Sequence, residues 1–283
     1  MSRLPFVLSA LLLPACLGAE APVTSPRPEA RPEVGARMPR AADFDGWMTA
    51  FERRARAAGI SDATWTAARP HIRYLPQVIE LDRRQSEFGA RVWDYLDSSV
   101  TPARISQGQA AMRRHATLLA QIEGRFGVPP EVVVAIWGLE SSYGANRGST
   151  PTLASLATLA KDGRRAAFFE GQLLDALRIV QAGDKAPAQM VGSWAGAFGH
   201  VQFMPSVFLQ HAVDYDGDGR RDLWGSIPDA MASAANFLNA IGWQTGERWG
   251  REVRLPSSFP FEHAGLSQRK TLTEWRQLGV RMA

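Results

Sequence analysis

Residues 135–144 read Ala-Ile-Trp-Gly-Leu-Glu-Ser-Ser-Tyr-Gly, an apolar run that ends on a lone carboxylate, Glu140. Val128-Pro-Pro-Glu131 upstream has the composition of a helix start, with proline at the first helical position. On a helix from about Pro130, Val132, Ile136 and Glu140 fall at i, i+4 and i+8, flanked by Val133 and Trp137, so the carboxylate shares the apolar face. Desolvation there disfavours the charged form, and the helix C-terminus adds partial negative charge, so both push the carboxyl pKa upward. A carboxyl held protonated near neutral pH is what a general acid needs to protonate a leaving oxygen. Gly144 offers the helix stop. The position equally suits a helix-end Glu turned to solvent or paired with Arg147, and the stretch alone does not choose between these readings.

Helical patterning extends outward on both sides. Phe44, Trp47, Met48 and Phe51 recur at helical spacing between Asp43 and Ala58, and Thr101-Pro102 places an N-cap residue before proline. Thr150-Pro151 reads as another helix start, with Leu153, Leu156 and Leu159 along one side. There is no internal repeat and no sustained strand alternation before about residue 250; after it, Glu252-Val-Arg-Leu-Pro and the stretch to Phe261 suit short strands. The expected class is mainly α (α+β).

The 283 residues, 45% hydrophobic and 21% charged, suffice for one large domain or two modest ones. Net charge is +4 and the pI about 9.6, a mild basic bias that fits an Arg-rich composition or an anionic polymer as partner. No long Lys/Arg run or basic-aromatic stripe points to nucleic acid. Arg3 followed by the apolar run Leu4 to Ala15 has the size of a secretory signal core, so residues 1–21 are expected to direct export. Two processing outcomes compete: Leu13-Pro-Ala-Cys16 resembles a lipobox, and Ala19-Glu-Ala21 is an ordinary cleavage site. Cys16 is the only cysteine, which excludes an intramolecular disulfide and leaves lipid attachment or an incidental residue of a discarded peptide. Residues 22–42 are dense in Pro and charge and read as a flexible linker.

Asp214-Tyr-Asp-Gly-Asp-Gly-Arg-Arg-Asp222 carries a second chemical signal. Carboxylates at relative positions 1, 3 and 5, glycine at 6 and the backbone carbonyl of Arg220 at 7 reproduce the first part of an EF-hand loop, which suits calcium or another hard cation. Position 12, where a Glu is expected, is Gly225. An Asp-rich turn without metal is the alternative.

Several blocks in order carry a resemblance: Ile79 to Phe88 (IELDRRQSEF), Trp93 to Asp97 (WDYLD), VPPEVVVAIWGLESSYG, Gly163 to Leu174 (GRRAAFFEGQLL), Gly192 to Ser206 (GSWAGAFGHVQFMPS) and Asp214 to Trp224 (DYDGDGRRDLW). Over about residues 43–250 the chain resembles the membrane-bound lytic murein transglycosylase B family of the lysozyme-like superfamily. The resemblance implies a lysozyme-like core with a helical N-terminal lobe, and non-hydrolytic cleavage of the N-acetylmuramic acid–N-acetylglucosamine bond of peptidoglycan to 1,6-anhydro ends. One carboxylate then suffices: Glu140 acts as acid, then as base for the sugar's own 6-hydroxyl, and no chemical cofactor is implied. The resemblance also places Ser193 and Gln202 near Glu140, Tyr143 and Phe237 against sugar, and Arg164 and Arg165 opposite stem-peptide carboxylates. Asn236-Phe237 stands where many relatives have Asn-Tyr. Asp229 matches the carboxylate with which the family closes its cation loop, completing an implied calcium set of Asp214, Asp216, Asp218, Arg220 and Asp229. The expected product is a periplasmic monomer, with lipid anchoring at the outer membrane if Cys16 is modified. Family members continue past the equivalent of Val280 with a Tyr-Asn or Trp-Asn pair, so residues 251–283 read as a partial C-terminal segment. Two alternatives stay open: a lysozyme-type hydrolase using the same Glu, and a non-catalytic, calcium-stabilised wall-binding protein.

Overall fold

A computed structural model describes residues 42–84, 92–246, 250–265 and 268–283. The expected export signal with Cys16, the linker up to residue 41 and residues 85–88 of the Ile79–Phe88 block lie outside the described residues. The chain divides into two compact units, the second beginning at Gln244.

In the first unit α1 (Ala42–Ala57), α2 (Asp62–Ala68), α3 (Pro76–Arg83), α4 (Val92–Ser99), α5 (Pro102–Arg114), α6 (Ala116–Phe126) and α7 (Pro130–Ser141) follow one another. After them come strand β1 (Thr150–Pro151), α8 (Thr152–Asp162), α9 (Ala166–Ala182), β2 (Val191–Gly192), α10 (Pro205–His211) and α11 (Ile227–Ala240). Local chemistry sets the boundaries. Ser61, Thr101 and Ser226 cap α2, α5 and α11 by accepting a backbone N–H three residues on, and Gly127, Gly163 and Gly183 end α6, α8 and α9 in the left-handed conformation. Thr150-Pro151 does not begin a helix, as its composition suggests; it pairs antiparallel with Val191–Gly192, and α8 begins one residue later. Two residues are too few to write an alternation into the sequence.

Helix α8 is buried from Thr152 through Ala160, not along the leucine side alone. A helix apolar or small all round belongs at the centre of a fold, and α8 packs on α9 and α3. Around it lies one core, with Phe51, Leu153, Leu156, Leu173, Phe198 and Phe208. A second core joins α5, α6, α7 and α11 through Leu119, Ile122, Val133, Val134, Trp137 and Met231. The loop around residues 192–203 contributes Phe198, Val201 and Phe203 to the first core, whereas the helix carrying Glu140 belongs to the second.

In the second unit, β3 (Val253–Arg254) pairs with β4 (Arg281–Met282), and α12 (Leu272–Gln277) starts with a capping box between Thr271 and Glu274. Phe259 and Val280 are its buried apolar residues, and the Phe259 and Trp275 rings stack at 6.4 Å. Short strands after residue 250 match the expectation from composition.

Candidate active site

Glu140 lies in the last turn of α7. The buried side of that helix is Val133, Val134, Trp137, Gly138 and Ser141, while Val132, Ile136 and Glu140 form the half-buried line at its edge. The carboxyl group thus borders the core without entering it. Burial pushes its pKa up to about 8, and no charged neighbour shares in the shift. It makes no hydrogen bond or ion pair among the described residues; Arg147, the candidate partner, instead donates to the Gly144 carbonyl at 2.7 Å. Glu140 is thus not paired with Arg147, and burial favours the protonated form of its half-buried carboxyl group at neutral pH.

The helix stops earlier than Gly144. Ser142 (φ 50°) and Tyr143 (φ 57°) already adopt the left-handed conformation, and Tyr143 N–H reaches back to the Trp137 carbonyl at 3.2 Å. Non-glycine residues in this region cost about 1–3 kcal/mol each and persist only where their surroundings hold them. What holds them is visible. The Tyr143 ring stands edge-on to Trp137, its hydroxyl donates to the Arg104 carbonyl at 2.8 Å, and a Cβ on Gly138 would lie 2.6 Å from the ring's Cζ, so glycine there makes room for the tyrosine. Tyr143, expected against substrate, is a half-buried strut between α7 and α5.

Beyond Tyr143 the turn packs on the glycine-rich loop. A Cβ on Gly144 would lie 2.5 Å from His200 Nδ1, and one on Gly148 2.6 Å from Ser193 N. Ser141 donates from Oγ to the His200 carbonyl at 2.6 Å, and Trp137 donates from Nε1 to His200 Nδ1 at 2.9 Å. With Nδ1 accepting, the proton of the neutral ring resides on Nε2. Burial first, then Arg147, lowers the His200 pKa to about 4, so the ring is neutral at pH 7.

Ser193 and Gln202 are both buried in this loop. Ser193 Oγ accepts from Ala197 N–H at 3.1 Å, closing the tight 193–197 turn. Gln202 has φ 49°, the third left-handed non-glycine residue among the described residues, and donates from Nε2 to the carbonyls of Gly199 (2.8 Å) and Arg147 (3.1 Å). With its nitrogen so fixed, Gln202 Oε1 is the atom of the amide left to accept a hydrogen bond. A cavity of about 390 Å³ opens beside the turn, bounded by Arg147, Lys185, Gln189 and Trp224.

The other expected contacts are placed differently. Arg164 clasps Asp82 through two hydrogen bonds of 2.9 and 2.6 Å, and Arg165 approaches the same carboxylate at 3.5 Å while lying 4.7 Å over the Phe169 ring. The Asp82 side chain is 2% exposed, and this pairing ties α3 to the start of α9. Asn236 donates to the His211 carbonyl at 2.9 Å, linking α11 to α10. Phe237 is half-buried, edge-on to Phe203 at 5.8 Å, which sets it against the residue following Gln202.

In the acidic loop, one carboxylate oxygen each of Asp214, Asp216 and Asp229 lie within 4.8 Å of one another. Asp218 is not one of that group; its Oδ1 accepts from Arg220 N–H at 2.8 Å. Asp229 is fully buried and takes backbone N–H groups from Tyr215, Asp216 and Asp222, and burial raises its pKa. Three hard oxygen donors converging, backed by backbone N–H groups that orient them, fit a hard cation such as calcium.

Sequence reasoning missed Asp82 and His200. His200 sits 63 residues from Trp137, and no one-dimensional pattern joins them.

Comparison with known proteins places this geometry. Residues 43–283 match the family described as the transglycosylase SLT domain. Over 199 residues the chain is 35% identical to membrane-bound lytic murein transglycosylase B of Escherichia coli (strain K12), covering 66% of this chain and 55% of that protein. It superposes on SltB3 from Pseudomonas aeruginosa in complex with NAG-NAM-pentapeptide with a TM-score of 0.81 and 48% identity, covering 84% of this chain and 64% of the other. For the Escherichia coli lytic transglycosylase Slt35 in complex with calcium the TM-score is 0.72 and the identity 29%, covering 87% and 76%. The chain thus spans just over half of the first relative and less than two thirds of the second. The mainly α, lysozyme-like fold is the one it shares with these structures.

Proposed function

The chain belongs to the transglycosylase SLT domain family, and from that premise we propose that it is a lytic murein transglycosylase with Glu140 as its single acid and base. The observation that carries this is a carboxyl held near pKa 8 by burial alone.

The steps follow from that group. Protonated Glu140 gives its proton to the oxygen linking N-acetylmuramic acid to N-acetylglucosamine as the bond from that oxygen to the muramic C1 breaks. The 6-hydroxyl of the same muramic residue attacks C1, and Glu140, now ionised and poorly solvated, takes the hydroxyl proton. Atoms balance without water: one chain becomes two, and one of them ends in a 1,6-anhydro sugar. Intramolecular attack avoids capturing a separate nucleophile, an advantage that reaches about 7–11 kcal/mol in well-oriented cases. Gln202 Oε1 and the Ser193 hydroxyl orient sugar or Glu140, and Phe237 offers an aromatic edge to the cleft. Arg164 and Arg165 turn only part of their guanidinium edges to stem-peptide carboxylates, since Asp82 holds the rest. SltB3 has been solved with NAG-NAM-pentapeptide and with NAG-anhNAM-pentapeptide, which supports peptide-bearing glycan as the substrate here.

Asp214, Asp216 and Asp229 would hold a calcium ion, with Asp218 and the Arg220 carbonyl as outer donors, and the ion would neutralise the loop's repelling carboxylates. The signal-like residues 1–21 and the membrane-bound name of the Escherichia coli relative support a periplasmic site of action, with Cys16 as the candidate lipid anchor. No helix among the described residues is long and apolar enough to cross a membrane. Mass spectrometry of soluble products from purified peptidoglycan tests the proposal. Products one water lighter than reducing muropeptides, absent with Glu140→Gln, support it; products with reducing ends make the protein a hydrolase, and glycan binding without products makes it a wall-binding module.

A further inference from the structure

Among the described residues the Glu140 carboxyl group has no hydrogen-bonding partner, so its place is set by the helix end that carries it. That end touches one residue of the facing loop three times. Trp137, three residues before Glu140, donates to His200 Nδ1 at 2.9 Å; Ser141, directly after it, donates to the His200 carbonyl at 2.6 Å; and Gly144 lies so close that a Cβ would be 2.5 Å from His200 Nδ1. His200 is in turn anchored from behind, its N–H donating to the Leu223 carbonyl at 2.8 Å. It is 5% exposed, and its ring stands edge-on to Trp137 at 5.7 Å. The loop side of this contact carries residues of the first core and the helix side residues of the second, and apart from α11, which contributes to both cores, these hydrogen bonds tie the two sides directly.

We propose that His200 is a positioning residue for the acid: through Trp137 and Ser141 it locks the end of α7 against the glycine-rich loop and so holds Glu140 in register with Gln202 and the scissile bond. The inference rests on the proposed role of Glu140. Its specific content is that the acceptor at Nδ1, and not merely a ring of that size, does the holding. A neutral ring is required, because a proton on Nδ1 would face the Trp137 N–H; burial keeps the ring neutral at pH 7.

The test compares the full chain with His200→Leu, which removes the acceptor, His200→Asn, whose Oδ1 can replace Nδ1, and Trp137→Phe, which removes the donor and keeps a ring. Thermal midpoints identify which variants are folded. A misplacement of about 1 Å costs as much as 10²-fold in rate, so His200→Leu and Trp137→Phe should each lower kcat between about tenfold and a hundredfold with KM nearly unchanged. His200→Asn should recover most of the loss, and joining Trp137→Phe to His200→Leu should add little. Folded His200→Leu or Trp137→Phe with native kcat overturns the proposal, as does His200→Asn performing no better than His200→Leu. A second readout does not depend on turnover: carbon-13 NMR of the Glu140 carboxyl should show its titration midpoint falling in His200→Leu and staying native in His200→Asn. If the native chain and Glu140→Gln are equally inactive, the enzymatic reading fails by itself, and an unchanged NMR midpoint in both His200 variants then also overturns the positioning role.

Discussion

Gln202 donates from Nε2 to the Arg147 carbonyl at 3.1 Å, which fastens the glycine-rich loop to the turn that follows Glu140. The same nitrogen bonds the Gly199 carbonyl, and the residue's backbone is left-handed at φ 49°. Gln202→Ala leaves two carbonyls short of a donor without relieving the backbone, and should lower stability by about 2–3 kcal/mol in a denaturant titration. Gln202→Gly loses the same bonds but accepts the positive φ, so it should recover about 1 kcal/mol of that loss.

Glu140 makes stability depend on pH in a defined direction. Its folded pKa of about 8 lies above the ordinary 4.5, so between those values the folded chain keeps a proton that the unfolded chain releases. Unfolding free energy therefore falls as pH rises through this window, by at most about 1.4 kcal/mol per unit from this group, and is unaffected by it below pH 4.5. Glu140→Gln removes that slope, so the variant should gain on the native chain as pH approaches 8. Parallel urea titrations across the window check it; equal slopes would mean a carboxyl that is ionised in the folded state. The alkaline fall of kcat should follow the same ionisation.

The pairing of Arg164 with Asp82 predicts an asymmetry between adjacent arginines. Arg164→Ala leaves a buried carboxylate with only Arg165 at 3.5 Å, and should destabilise by about 2 kcal/mol, below the 3–5 kcal/mol of a fully buried pair because solvent reaches the guanidinium. Arg165→Ala should cost under about 1 kcal/mol, the size of an exposed cation–π contact. Thermal midpoints measured side by side decide it.

Calcium added to metal-free protein should raise the thermal midpoint, and a chelator should reverse the rise. Asp216 is exposed and its Oδ2 accepts from the Ser226 hydroxyl, so Asp216→Asn should fold normally yet lose most of the calcium-dependent shift. Asp229 holds three backbone N–H groups; Asp229→Ala should lower the midpoint with or without calcium.

The helices and the place of Glu140 at the end of one of them were legible in sequence because they are written locally. Pro102 after Thr101, Pro130 after Pro129 and the spacing of Val132, Ile136 and Glu140 specify start, face and carboxylate within a few residues. The placement of Glu140 was legible only to within one stripe of the helix, because which neighbouring line is deepest depends on where α11 lies. Gly144 drew attention as the helix stop, yet Ser142 and Tyr143 turn first, held by Arg104 and Trp137. The pairing of the two arginines with Asp82, 82 residues before Arg164, was not legible because Asp82 carries no sign of being buried. Contacts between distant segments decide each of these, and a single sequence does not display them.

The central claim is that the muramic 6-hydroxyl, and not water, attacks the carbon freed by Glu140. Digestion of purified peptidoglycan in water enriched with oxygen-18, followed by mass spectrometry of the products, tests it most directly. The account predicts 1,6-anhydro ends that carry no label, and no products from Glu140→Gln; reducing ends bearing one labelled oxygen at the cleaved carbon would contradict it.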